Sequence, residues 1–147
     1  MSVLNMSFKA TDVSFGKSQG EIIDLLTKYG VRDIGFGYHP EEDGKPGSIR
    51  IIFTWEENQR KEKYVMTCQY QTKKGPRGGN IGTRKEEAAR ALYWHIKAKL
   101  DAVTWGITDF AQEFLPYMLV ENSGMTVYQY GLSTGALLPL PAPENTR

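Results

Sequence analysis

Apolar residues alternate with polar or glycine positions in three runs along the first half of the chain. Ile34, Phe36 and Tyr38 alternate with Gly35 and Gly37. Ile49, Ile51, Phe53 and Trp55 alternate with Arg50, Ile52 and Thr54, and Tyr64, Met66, Cys68 and Tyr70 with Val65, Thr67 and Gln69. A period of two predicts β-strands with one buried face. Turn residues Asp43-Gly44-Lys45-Pro46-Gly47 and polar Glu56-Glu57-Asn58-Gln59 separate the runs, and links this short make consecutive strands antiparallel neighbours. The expected sheet is a meander. One face is apolar and aromatic, and the other, of Gly, Arg, Thr and Gln, stays open to solvent or a partner.

Helical spacing flanks the sheet on both sides. Ser18-x-x-Glu21 reads as a capping box ahead of Ile22, Leu25, Leu26 and Tyr29, with Gly30 as the stop, and predicts a helix over 19–29. Thr83-x-x-Glu86 reads as a second box, opening a long helix that runs to about Trp105. Its apolar stripe is Ala88, Leu92, Ile96, Leu100 and Val103, with Glu87, Arg90, Lys97 and Asp101 pointing away. Thr108 is expected to cap a shorter helix carrying Phe110, Phe114, Leu115 and Met118, which Pro116 shortens or kinks. Residues 8–15 pattern as a short edge strand, Met125 to Tyr130 as a last strand or helical turn. The fold class is α+β: an antiparallel sheet of three or four strands, the N-terminal and long C-terminal helices on one face, and a short third helix.

Length and composition narrow the function classes. The 147 residues suit one domain, with 1–7 as a loose leader and 135–147 as an apolar, proline-rich tail. That tail is expected to lie against the domain or a second subunit, so a homodimer is the expected assembly. No apolar run approaches the roughly 18 residues of a spanning helix, so no membrane contact is expected. One cysteine, Cys68, excludes an internal disulfide and fits a reducing, cytoplasmic compartment. Two histidines leave little for metal or triad chemistry. No metal, no cofactor and no enzymatic activity is expected.

Charge changes the picture more. From Arg60 to Lys99 there are eleven basic and three acidic residues, a net +8, while the rest of the chain carries −7. Such polarity points to a polyanionic partner, provided the positive half folds into one continuous surface. At its centre lies a glycine-rich loop, residues 72–82, holding Lys73, Lys74 and Arg77, with Arg84 and Lys85 just beyond. Its glycines allow close approach to an anion, and the following helix start offers amides and a positive dipole end. The spacing is not that of a nucleotide-hydrolysing loop.

These features predict a single-stranded nucleic-acid-binding protein, for DNA first and RNA second, with slight sequence preference. Lys73, Lys74, Arg77, Arg84 and Lys85 contact phosphates, and Arg50 and Lys63 extend the track over the open sheet face. Tyr38, Trp55, Tyr70 and Trp94 are the stacking candidates. The alternative is a protein–protein module that inhibits a host factor. His39 beside Glu41, Glu42 and Asp43 marks a weaker hydrolytic or cation site, His95 a hydrogen-bonding residue of the long helix, and Cys68 an inert thiol.

From Lys97 to Leu115 the chain reads Lys-Ala-Lys-Leu-Asp-Ala-Val-x-x-Gly-Ile-x-x-Phe-x-x-Glu-Phe-Leu. This segment resembles small uncharacterised proteins of tailed phages and viral metagenomes, and the layout before it is similar over about two-thirds of the chain. The basic loop and the C-terminal end depart from that pattern. The family brings no activity to transfer. The resemblance implies a phage protein working inside a bacterial cell.

Overall fold

The computed structural model describes residues 12–79 and 81–137. Helix α1 (Phe15–Lys28) leads into three strands, β1 (Arg32–His39), β2 (Gly47–Glu57) and β3 (Arg60–Tyr70). Helix α2 (Lys85–Thr104) follows, then α3 (Phe110–Phe114), a 3-10 turn at Leu115–Tyr117, and α4 (Val127–Thr134). The chain is α+β, as its patterning predicts.

The strands form one antiparallel sheet in the order β1-β2-β3. Asn58 and Gln59 both hold positive φ, so a two-residue turn joins β2 to β3 in continuous register from Glu57↔Arg60 to Gly47↔Tyr70. Ile49, Ile51 and Phe53 of β2, with Tyr64, Met66 and Tyr70 of β3, face the helices and are buried. Ile22 and Leu26 of α1 and Ala88, Leu92, Ile96 and Leu100 of α2 close over them. At the hairpin end Phe53, Trp55, Tyr64, Phe110 and Phe114 interlock through stacked and edge-on contacts, the closest being Trp55 on Phe110 at 4.1 Å between ring centres.

Both helix starts differ from their capping motifs. Helix α1 begins a turn early, at Phe15, because the Ser14 hydroxyl accepts from the Lys17 amide at 3.1 Å. Ser18 is therefore inside the helix, fully buried, with no partner for its hydroxyl among the described residues. Glu21 reaches across to α2, where both its oxygens accept from Arg90 at 3.2 and 3.3 Å. At α2 the capping residue is Arg84, whose amide donates to Glu87 Oε1 at 2.8 Å; the Thr83 hydroxyl is turned back to accept from the Gln71 amide. Glu87 and Arg90, expected to point away, are buried at 2% and 6% exposure. Burial overrides the polar pattern because each charge finds a partner across a helix end or a helix pair.

Asp109, not Thr108, caps α3, accepting from the Gln112 amide at 2.8 Å, and Pro116 sits in the 3-10 turn that ends it. Phe15 belongs to a helix, so the expected edge strand does not extend that far; its first residues, 8–11, lie outside the described residues, as do the leader 1–7 and the tail from 138. The segment after α3 supplies the largest departure. Met118 bridges to Tyr64, the Leu119 amide donates to the Lys63 carbonyl at 2.8 Å, and Leu119 pairs with Thr126 ahead of α4. This excursion lies along β3 and walls part of the sheet face that the sequence left open.

Candidate nucleic-acid interface

The topology brings five segments to one end of the sheet: the end of β1, the start of β2, the end of β3, and the starts of α1 and α2. Tyr38 of β1 stacks parallel to Tyr70 of β3 with ring centres 6.3 Å apart, and Phe15 of α1 lies 6.1 Å from Tyr38. Lys85 Nζ stands 4.9 Å from the Tyr38 ring and 5.1 Å from Phe15. This packing fixes where the basic loop departs and returns.

The loop itself is built by backbone pairing. The Ile81 amide donates to the Lys73 carbonyl at 2.8 Å, and the Thr83 amide to the Gln71 carbonyl at 2.9 Å. A tighter turn follows inside it, Gly75 donating to Gly79 at 2.7 Å and Gly78 to Gly75 at 2.9 Å. Gly82 is required there, since a Cβ would fall on the Gln71 carbonyl oxygen. Two further contacts tie the stem to the β1–β2 turn. The Thr72 amide and hydroxyl both donate to the Glu41 carboxylate, at 2.9 and 3.0 Å, and the Gln71 side-chain amide donates to the Gly44 carbonyl at 2.6 Å. A shallow cavity of about 340 Å³ lies at its foot, lined by Gln69, Tyr70, Gln71, Lys73, Ile81 and Thr83 among others.

Lys73, Lys74, Arg77, Arg84 and Lys85 are thus held at one end of the molecule, with Tyr38 among them. Lys74 and Arg77 are exposed and make no ion pair among the described residues. Arg84 is partly neutralised, its guanidinium 3.7 Å from Glu86 and 3.5 Å from Glu87. The start of α2 does not offer an open anion site. Glu87 fills the amide position that the sequence assigned to phosphate, and Glu86 adds a second charge in the same turn. Side chains, not helix amides, supply the positive potential.

The basic half does not form one continuous surface. Arg60 and Lys61 stand at the far tip of the β2–β3 hairpin, Arg60 donating to Glu62 at 2.7 Å. Arg90 is buried against Glu21, Lys97 pairs with Asp101 at 3.0 Å, and Lys99 with Glu113 at 2.9 Å. Arg50 and Lys63 do lie on the outer sheet face, opposite Thr67 and Thr54 in register, so a narrower track survives there.

The rings separate in the same way. Tyr70 is 5% exposed, one face held by Tyr38, and burial pushes its hydroxyl up in pKa. Trp55 lies at the opposite end, stacked on Phe110 with its indole N–H buried. Trp94 is on the helix layer, across the sheet from Arg50. Tyr70 lines the cavity with Lys73 but is buried, whereas Tyr38, half exposed, stands beside Lys85. The Glu41 tether has no sequence signal, Glu41 reading as one of several solvated acids; of the wall laid down after α3 only its last part was patterned, Met125 to Tyr130, whose helical-turn reading corresponds to the start of α4 at Val127.

Elsewhere the chemistry is spare. His39 lies 3.7 Å from Glu42, both exposed, and among the described residues no three His, Cys, Asp or Glu side chains converge. His95 Nε2 meets the Tyr117 hydroxyl at 3.2 Å, and burial lowers its pKa. Burial raises that of Cys68. No described helix is long and apolar enough to cross a membrane. No family model, no curated protein and no solved structure matches the chain.

Proposed function

We propose that the chain binds single-stranded nucleic acid, DNA in the first instance, through phosphate contacts at the loop end of the sheet. The observation that carries this reading is the hydrogen-bonded loop stem, which holds Lys73, Lys74, Arg77 and Lys85 on one side of the molecule. A tethered cation cluster loses little entropy on meeting a polyanion, and each phosphate neutralised releases counterions. Tyr38 offers one base a stacking surface. The footprint is short, because the longer track expected from the charge distribution is broken by the pairs on α2. Sequence preference is slight, since phosphate contacts position a strand without reading its bases.

A duplex is the second reading, favoured by the packing of Tyr70 and Trp55 into the protein. With fewer free rings, backbone contacts dominate, and a duplex presents a phosphate every 1.7 Å or so along its axis. Mobility shift with single-stranded, duplex and RNA probes across a salt series separates the two. The single-strand reading predicts the tightest complex with oligo-dT and little competition by duplex. Preference for duplex overturns the strandedness, and no shift in dilute buffer overturns nucleic-acid binding altogether.

A further inference from the structure

On the outer sheet face, a groove of about 770 Å³ opens between the strands and the segment that follows α3. Its floor is Ile52 and Val65, a cross-strand pair, and beside them Arg50 and Thr67, the next pair toward the loop end. Tyr117 and Tyr128 stand in its wall. Arg50 is exposed and has no ion pair among the described residues, and no carboxylate lines the groove. Across β1 the floor continues as Gly37 and Gly35, opposite Arg50 and Ile52, so β1 contributes no side chain to that side of the groove.

The groove and the cavity at the loop end come within one strand step of each other on β3. Gln69, which lines the cavity at the foot of the basic loop, and Thr67, which lines this groove, are alternate residues of β3 and share its outer face. Alternate strand residues lie about 7 Å apart. A chain of phosphates leaving Lys73 along Gln69 therefore meets Arg50 next. We infer that this groove is the second half of the binding path, with the Arg50 guanidinium on a phosphate and unpaired bases lying on Ile52 and Val65 against Tyr128.

The occupant is a single strand. An apolar floor and a half-exposed ring accept the flat faces of bases, which a duplex keeps stacked on one another. An anionic peptide would meet the same cations, but it brings no flat base faces for the Ile52–Val65 floor and the Tyr128 ring. This inference rests on the loop-end reading, and the two are tested apart. A 12-residue oligo-dT carrying 5-bromouracil is titrated by fluorescence anisotropy and photo-crosslinked to the wild-type protein, to Arg50→Gln, to Tyr128→Ala and to a Lys74→Glu/Arg77→Glu variant. Circular dichroism checks each fold. Arg50→Gln and Tyr128→Ala are expected to weaken binding about five-fold or more each, and the wild-type crosslinks to map to residues 117–129. Binding that needs the loop but is indifferent to both groove variants, with no crosslink in that segment, overturns the groove. Binding that needs the groove but not the loop overturns the loop-end reading and leaves the groove standing. No binding by the wild type overturns both.

Discussion

Lys85 Nζ of α2 stands 4.9 Å from the centre of the Tyr38 ring of β1, and Tyr38 in turn lies parallel to Tyr70. The three residues come from different elements, yet together they set one cation and one half-exposed ring beside the basic loop. In the proposed complex a base stacking on Tyr38 would meet the Lys85 charge at the same place, so the two side chains would act on one nucleotide. Tyr38→Ala is expected to weaken oligo-dT binding about ten-fold and Tyr38→Phe hardly at all, since the stack needs the ring and not the hydroxyl. Anisotropy titration checks this, and equal affinity for all three proteins removes Tyr38 from the site.

Gly82 tests whether the loop works because it is held. Any Cβ there meets the Gln71 carbonyl and the Lys73 amide, both backbone. Gly82→Val is expected to break the Ile81–Lys73 and Thr83–Gln71 pairing and to release the loop from the sheet. Thermal melting should fall by only a few degrees, the core being elsewhere, while affinity for oligo-dT falls several-fold. Unchanged affinity indicates that the cations act without the stem.

The start of α1 distinguishes two serines. A capping serine replaced by alanine costs typically about 1 kcal/mol. Ser14, which accepts from Lys17, should show that loss on Ser14→Ala. Ser18 has a buried hydroxyl without a partner among the described residues, so Ser18→Ala should be neutral or slightly stabilising. Urea denaturation of both variants decides it, and the opposite order returns the helix start to Ser18.

The Arg90–Glu21 pair joins α1 to α2. The Arg90 hydrogen bonds hold the Glu21 carboxyl below its ordinary range, against the opposing effect of partial burial. A lowered carboxyl pKa contributes stability that is complete above the unfolded value, near 4.3, and is lost as pH falls through the folded one. Glu21→Gln is expected to cost about 1 kcal/mol at pH 7, because Arg90 is left buried with a weaker partner while water still reaches the Glu21 side. Between pH 7 and pH 3 the variant should lose less stability than the wild type. Parallel pH profiles for the two proteins contradict the pair's role.

Strands were legible because their alternation coincides with burial: Ile49, Ile51 and Phe53 face the core as their period requires. The α2 stripe from Ala88 to Leu100 was legible for the same reason. Helix starts were not, because Ser-x-x-Glu occurs wherever a helix has a serine and a glutamate one turn apart, and only the neighbouring helix decides whether Glu21 caps or pairs. Residue-type rules also misplace Arg90 and Glu87, whose burial depends on partners distant in sequence or one turn away. For the candidate site, the loop cations are grouped by local sequence and could be found there. The charge of the long helix lies in the same stretch of sequence but is neutralised by Glu21 and Glu113, which no local pattern reveals, and by Asp101, an i,i+4 neighbour of Lys97 that helical spacing does place beside it.

The central claim is that tethered loop cations hold a polynucleotide backbone, and a salt titration of oligo-dT affinity tests it most directly. With four to five cations on a single strand, the logarithm of affinity should fall against the logarithm of salt with a slope of about −3. Lys73→Glu/Lys74→Glu/Arg77→Glu should abolish the complex in dilute buffer while the protein remains folded. A slope near zero, or wild-type affinity in that variant, contradicts the account.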